Sequence, residues 1–554
     1  SPKENKYIFF IFELDMKKSK LYITIFLILI NLLFFSCENI LIDSNSKIFR
    51  YNESSGISSL DPMFSNTKSN IWAVNHIFNG LVDLDEDLNI IPCIAHSWIK
   101  SDDGLEYIFF LRDDIFFHES AYFKTENNTR SVIANDFIFS FSRLKDENVS
   151  SPGRWVLDYF SEKEAFTALN DTTLLIKLKR PFPSLLNILG MKYFSVVPKE
   201  VVRNVNFSKN PIGTGPFKFK YWKDNVKLVL LKNDNYFEFR NGVRLPYLDA
   251  VNISFINNPE SLFVNFLQSK IDFVSGHYPI FQEEFLTNNG YLKDKYETLY
   301  RMEKTPYLNS EFLAFNITKC KEDKSSLAFS NVRKALNYGF DRKEMVKYLR
   351  KNMVFPATSG IVPDFLSKYN LEGFFYNPDT AKMLLSSLEL NKNNLLKTID
   401  LYTTSDYLDI CEYLQSSFSE LGINLNIKVN PPSIHRELVS NNSVCFFRGS
   451  WIADYPDPEN YLQLFITKNK SPIGSNRTHF SNEIFDSLYE KSFLIQDDLL
   501  RNNIFLEMES ILMDSTILVP LYYDMAVRLI SEKVTNLSIN SMNILSLKEV
   551  KKSN

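Results

Sequence analysis

Two hydrophobic periods alternate along this chain from Lys47 to Val519: short runs in which every second residue is apolar, then runs with apolar residues three and four apart. Such interleaving of strands and helices predicts an α/β architecture. Lys47-Ile48-Phe49-Arg50-Tyr51 reads as the first strand. The clearest unit begins with a strand over Thr398–Thr403 and continues as a helix over Tyr407–Leu421, stopped by Gly422 at C′. It ends in an alternating strand over Ile423–Val429, a βαβ pattern with parallel strands. A second helix opens at Asn258-Pro259, with Asn as N-cap and Pro at the first helical position. It sets Leu262, Phe263, Phe266 and Leu267 on one face and leads into a strand over Ile271–Val274. A third opens at Asn377-Pro378 and carries Ala381, Leu384, Leu385 and Leu388, a face that needs a sheet to cover it. No Gly/Ser-rich linker separates blocks, so the domains are expected to be interwoven by several chain crossings, and crossings make hinges.

One stretch has neither period. Met16-Lys17-Lys18-Ser19-Lys20 is basic, and the fifteen residues 21–35 that follow are uncharged and mostly apolar up to Ser36-Cys37. That is the layout of a signal peptide, and the run is shorter than the roughly 20 residues of a membrane-spanning helix. The small Ser36 before Cys37 resembles a bacterial lipobox, in which the thiol receives a diacylglycerol and the leader is cut before the cysteine. Phe34 and Phe35 depart from the usual lipobox residues, and a plain signal anchor is the alternative. Residues 1–15 are expected to be an upstream extension that is not native, 16–36 the signal peptide and 37–46 a lipid-anchored tether. Cys93, Cys320, Cys411 and Cys445 remain with no CxxC spacing; export permits disulfides, but their pairing is not readable from spacing.

Length and composition narrow the classes further. The chain has 554 residues, 45% of them hydrophobic and 23% charged, with a net charge of -4, so no basic excess argues for nucleic acid. There is no P-loop, and Gly213-Thr214-Gly215 runs into Pro216-Phe217 rather than a helix start, so no phosphate cradle is expected. His76, His96, His118, His277, His435 and His479 form no metal-binding spacing, and no G-x-S-x-G elbow singles out a nucleophile. The expectation is a non-enzyme with no cofactor and no metal.

The most unusual sequence is Phe446-Phe447-Arg448-Gly449-Ser450-Trp451-Ile452-Ala453-Asp454-Tyr455-Pro456-Asp457-Pro458-Glu459-Asn460. An apolar strand over Val444–Phe447 delivers an arginine, a tryptophan and an aspartate into a proline-rich turn. Arg448 can fork a carboxylate, Asp454 can neutralise an ammonium, and Trp451 offers a flat apolar face, which together suit a zwitterion. The bland alternative pairs Arg448 with Asp454 and buries Trp451 in the core. Asp454, Asp457 and Glu459 also admit a reading as paired acids or a calcium loop, although the prolines look like turns.

Through those residues the chain resembles the extracytoplasmic solute-binding proteins of the dipeptide and oligopeptide ABC importers (family 5), over about residues 47–530. The motifs stand in family order. They are Phe78-Asn79-Gly80-Leu81, Ile91-Pro92-Cys93-Ile94-Ala95-His96-Ser97-Trp98, Leu111-Arg112-Asp113-Asp114, Ala134-Asn135-Asp136-Phe137, Asn210-Pro211-Ile212-Gly213-Thr214-Gly215-Pro216-Phe217, Val332-Arg333-Lys334-Ala335-Leu336-Asn337 and Tyr376-Asn377-Pro378. The resemblance implies a type II periplasmic-binding-protein fold with two lobes around a hinged cleft and an extra smaller domain. Lobe I would comprise 47–85, 210–300 and 515–554, the extra domain 86–209 and lobe II 301–514. It implies that Asp454 holds a peptide's α-amino group and that Arg448 meets its carboxylate end, with Trp451 beside them. At Asn79 oligopeptide binders can carry a glutamate, so one acidic contact is missing. The partners implied are a short peptide, a membrane permease and separate ATPase subunits, for a monomer on the periplasmic or extracellular face. Members also bind nickel complexes, haem, sugars or opines. A lipid-anchored surface sensor or adhesin on the same fold, and a cryptic hydrolase, are the competing readings.

Overall fold

The structure, a computed structural model, describes residues 46–276, 279–387 and 398–553. The signal-peptide and lipobox expectations, Cys37 included, lie outside these residues, as do His277 and Leu388. No helix among the described residues is long and apolar enough to cross a membrane.

Alternating strands need a common sheet to pair their backbone groups. Here one sheet of eleven strands, among the described residues, takes them from both ends of the chain. In chain order these are β1 (Ile48–Asn52), β2 (Phe217–Lys223), β3 (Lys227–Lys232), β4 (Ala250–Ser254), β5 (Phe273–Ser275) and β6 (Tyr300–Phe315). They continue as β7 (Val354–Pro356), β8 (Ile399–Thr403), β9 (Leu425–Val429), β10 (Phe446–Ile452) and β11 (Leu518–Ser531). The order across the sheet is β9-β8-β10-β6-β11-β5-β1-β4-β3-β2, with β7 on β11. The two longest strands, β6 and β11, run antiparallel through the middle and join the group β8 to β10 to the group β1 to β5. Their pairing slips twice, between Pro306 and Ser310 and between Glu311 and Phe312. A separate four-stranded sheet spans Ala95–Lys100, Glu106–Leu111, Thr173–Lys177 and Phe166–Asn170. The result is a two-lobed α/β fold.

Local signals set the helices. Asn258 and Asn377 cap their helices through the side chain, accepting from the backbone N–H of Ser261 at 2.7 Å and of Thr380 at 3.0 Å. The βαβ unit forms as β8, the helix Leu408–Ser419 and β9, with β8 and β9 parallel from Ile399↔Leu425 to Thr403↔Val429. Gly422 takes a left-handed φ of 78° just beyond that helix. Two expectations change. Leu267 lies one step round from buried Phe266 and is solvent-exposed. The helix Pro378–Ser386 packs Ala381 and Leu385 against the helix Ser330–Tyr338 rather than directly on a sheet.

Gly213 and Gly215 owe their identity to a crossing of chains. A Cβ on Gly213 would stand 2.1 Å from the Ile77 carbonyl oxygen, and one on Gly215 would stand 2.4 Å from the Ile77 carbonyl carbon. The approach lets the Gly215 N–H donate to Ile77 at 2.8 Å, and a ring nitrogen of buried His118 bonds the Gly215 carbonyl at 2.9 Å. This stretch is a seam in the fold.

Two of the cysteines find each other. The Asn316 N–H bonds the Cys445 carbonyl at 2.8 Å, which brings Cys320 on the following helix against Cys445 at the head of β10, and the two form a disulfide. Cys93 and Cys411 are free and buried. The bridge closes a loop of 125 residues, so Cys320→Ser is expected to cost about 2–4 kcal/mol. An unchanged urea midpoint for that variant would show that the bridge adds no stability.

Candidate functional site

β8 and β10 run parallel, with Tyr402 opposite Phe447, so the residues after β10 emerge at the carboxyl edge of the sheet, where α/β proteins place ligands. Asp454 stands there. It lines a cavity of about 410 Å³, a volume typical of small-molecule sites. One wall is Trp451 and Asp454; the facing wall is Trp155, Asp158, Tyr159 and Arg180. The chain segments that carry the two walls also touch one another: the Trp155 and Tyr455 rings stack at 6.4 Å, Arg180 pairs with Glu490, and Lys100 donates to Gln496 at 2.8 Å.

Asn460 fixes the carboxylate loop. Its side-chain oxygen accepts from the Trp451 indole N–H at 2.9 Å and from the Asp454 N–H at 3.1 Å, locking the two residues in one geometry. Asp454 is exposed to the cavity, yet the protein packed near its carboxyl group desolvates it enough to push its pKa up to about 6, against a lowering contribution from the Asn460 side chain. Among the described residues no cation lies within ion-pair distance of Asp454 or Asp158. Arg180 and Lys468, the cations of the lining, both pair with Glu490. The unsatisfied charge of the cavity is therefore negative.

The other residues named from sequence have different work. Arg448 does not pair with Asp454, and most of its side chain is buried. Its Nε and Nη2 both donate to Oε2 of Glu311, whose side chain is 2% exposed, and its guanidinium lies 3.5 Å from the centre of the Tyr407 ring. Asn79 is buried away from the cavity. Its oxygen accepts from the Thr214 hydroxyl at 3.0 Å and its amide donates to the Tyr236 hydroxyl at 3.3 Å, so it stitches the Gly213–Gly215 seam. Asp457 and Glu459 are neither a calcium loop nor a catalytic pair: Asp457 takes Arg501 and the Ser184 hydroxyl, and Glu459 takes the hydroxyls of Tyr455 and Tyr489. No cluster of three His, Cys, Asp or Glu among the described residues could hold a metal ion.

Sequence reading missed the facing wall. Trp155, Asp158 and Tyr159 sit on a 3₁₀ segment, Pro152–Tyr159, capped by Ser151, whose hydroxyl accepts from the Gly153 N–H at 3.1 Å and donates to the Met63 carbonyl at 2.6 Å. The signal was present as Ser151-Pro152-Gly153, a cap and turn followed by two aromatics.

Residues 89–472 match the family model for bacterial extracellular solute-binding proteins, family 5. The chain is 26% identical over 495 residues to the oligopeptide-binding protein OppA of Bacillus subtilis, covering 84% of this chain and 85% of that one. It is 24% identical over 439 residues to heme-binding protein A of Haemophilus influenzae, covering 75% and 76%. Among solved structures, the periplasmic binding protein DppA from Helicobacter pylori in complex with the peptide STSA superposes with a TM-score of 0.74 at 23% identity, covering 92% of this chain and 98% of that one. With the family model spanning most of its length, the chain belongs to the bacterial extracellular solute-binding proteins of family 5.

Proposed function

We propose that this protein captures short peptides for an ABC importer and hands them to a membrane permease whose ATPase subunits are separate chains. The observation that carries the reading is Asp454, whose backbone N–H is held by Asn460 beside the Trp451 ring and whose carboxylate, lining a 410 Å³ cavity, has no cation within ion-pair distance among the described residues. An α-ammonium supplies that charge, and Trp155, Tyr159 and Trp451 give flat walls that accept varied side chains. The similarity to an oligopeptide-binding protein supports the same class of ligand. Asp454 and Trp451 are then the ligand contacts, whereas Arg448 and Asn79 shape the protein around them.

In this reading β6 and β11 are the hinge. Their pairing shifts register between Pro306 and Ser310, and ligand bridging both walls selects the closed arrangement. On a division into lobe I (47–85, 210–300, 515–554), an extra domain (86–209) and lobe II (301–514), Trp155, Asp158, Tyr159 and Arg180 would belong to the extra domain and Trp451 and Asp454 to lobe II. The protein performs no chemistry on its ligand.

Native mass spectrometry of the purified protein tests this: a ladder of co-purifying peptide masses is expected. A single non-peptide mass would favour the second reading, another solute class, which the likeness to a heme-binding protein keeps in view. The Ser36-Cys37 leader further supports a lipid anchor, at the periplasmic or extracellular face. Cys37→Ser is expected to move it from the membrane fraction to the soluble one, and persistence with lipid would indicate an uncleaved anchor instead.

A further inference from the structure

We propose that Glu311 is a resident carboxylate that occupies the Nε–Nη2 edge of the Arg448 guanidinium, so that this protein selects ligands by their ammonium end and is indifferent to a carboxylate at the other. The inference rests on the peptide reading above and specifies which end of the peptide is recognised. Arg448 is the cation that β10 sends toward the carboxyl edge of the sheet, three residues before Trp451. Its fork is what a ligand carboxylate would need. Glu311 reaches it from the neighbouring strand: β6 and β10 pair with Leu313 opposite Arg448 and Glu311 opposite Ser450, which sets the two side chains on one face of the sheet.

Both oxygens of Glu311 are committed. Oε2 accepts from Nε at 3.0 Å and also from Nη2 of Arg448, and Oε1 accepts from the Tyr407 hydroxyl at 3.2 Å and from the Asn309 amide at 3.1 Å. The Tyr407 ring closes one face of the guanidinium. A ligand carboxylate that displaced Glu311 would strand a buried anion, which is unfavourable even where the new pair is equally good. The same pattern holds at the cavity itself, where Glu490 already holds Arg180 and Lys468. These three cations are met by two carboxylates of the protein, Glu311 for Arg448 and Glu490 shared by Arg180 and Lys468, while Asp454 and Asp158 have no cation within ion-pair distance among the described residues. Specificity of this kind comes from blocking one contact as much as from making another.

The test is calorimetric titration of the full chain with tri-, tetra- and penta-alanine, their C-terminal amides and their N-acetyl forms. Free acids and amides are expected to bind within about threefold of each other at every length, and N-acetylation to cost about tenfold or more. A loss of about tenfold on amidation at any length would overturn the proposal while leaving peptide binding intact. Glu311→Gln should vacate the fork and create a preference of about tenfold for free acids; equal binding of acid and amide by a folded Glu311→Gln protein would also overturn it. Should that variant not fold, the wild-type comparison decides alone. If no peptide binds, the peptide reading fails, and acetate separates the two ideas. Millimolar acetate should leave the wild-type melting temperature unmoved and raise that of Glu311→Gln, whereas an equal rise in both would show that Arg448 was open all along.

Discussion

Replacing Asp454 by Asn is expected to weaken peptide binding by about 30-fold or more, about 2 kcal/mol, without destabilising the empty protein. The two halves of this expectation have the same cause. Desolvation has raised the folded-state pKa of Asp454 from 3.8 to about 6, so the folded protein holds that proton more tightly than the unfolded chain does. The ionised form is therefore a burden on the empty fold at neutral pH, relieved as pH falls through about 6, and Asn carries no such burden. Ligand binding has the opposite dependence, because an ammonium needs the carboxylate. Affinity should be level above about pH 6 and fall by about tenfold per unit below it, and Asp454→Asn should abolish that slope. Titration calorimetry from pH 5 to 8, with urea unfolding of the empty protein alongside, reads both. Unchanged affinity in the variant would remove Asp454 from the ligand site.

Arg501→Met should be the most damaging single change to stability among those considered, at about 3–5 kcal/mol. Arg501 is buried and gives two hydrogen bonds to Asp457, at 2.6 and 3.1 Å, while Asp457 also accepts from the Ser184 hydroxyl. Losing the cation strands Asp457 a few residues from Glu459, whose pKa burial has already raised. Because Ser184 lies on the chain that follows Arg180 of the facing cavity wall, the same loss should loosen the contact between the walls. The double variant Asp457→Asn with Arg501→Met removes both charges and should recover much of the stability. A urea midpoint for Arg501→Met equal to wild type would show that the pair contributes nothing.

Much of the architecture is written in short stretches. Asn258-Pro259 and Asn377-Pro378 start helices because an Asn side chain satisfies a backbone N–H three residues on, and the 398–429 unit declares itself by its change of period. Trp451 and Asp454 were legible for a similar reason: an apolar strand that ends in polar and aromatic residues must present them at a sheet edge. These interactions span a few residues, so the sequence contains both partners side by side.

What tertiary structure alone decided are the partners that come from afar. Arg448 read as a carboxylate receptor until the pairing of β6 with β10 brought Glu311, 137 residues earlier in the chain, onto the same face. Cys320 and Cys445 are bridged across 125 residues, Asn79 is claimed by Thr214 and Tyr236, and the wall facing Asp454 arrives from residues 155–180. Strand register settles the first of these, since a shift of one residue would turn every side chain of a strand to its other face, and the packing of helices and loops settles the rest. The chain thus determined which groups exist and where its local turns fall, and only the packed fold decided which charges are left for a ligand.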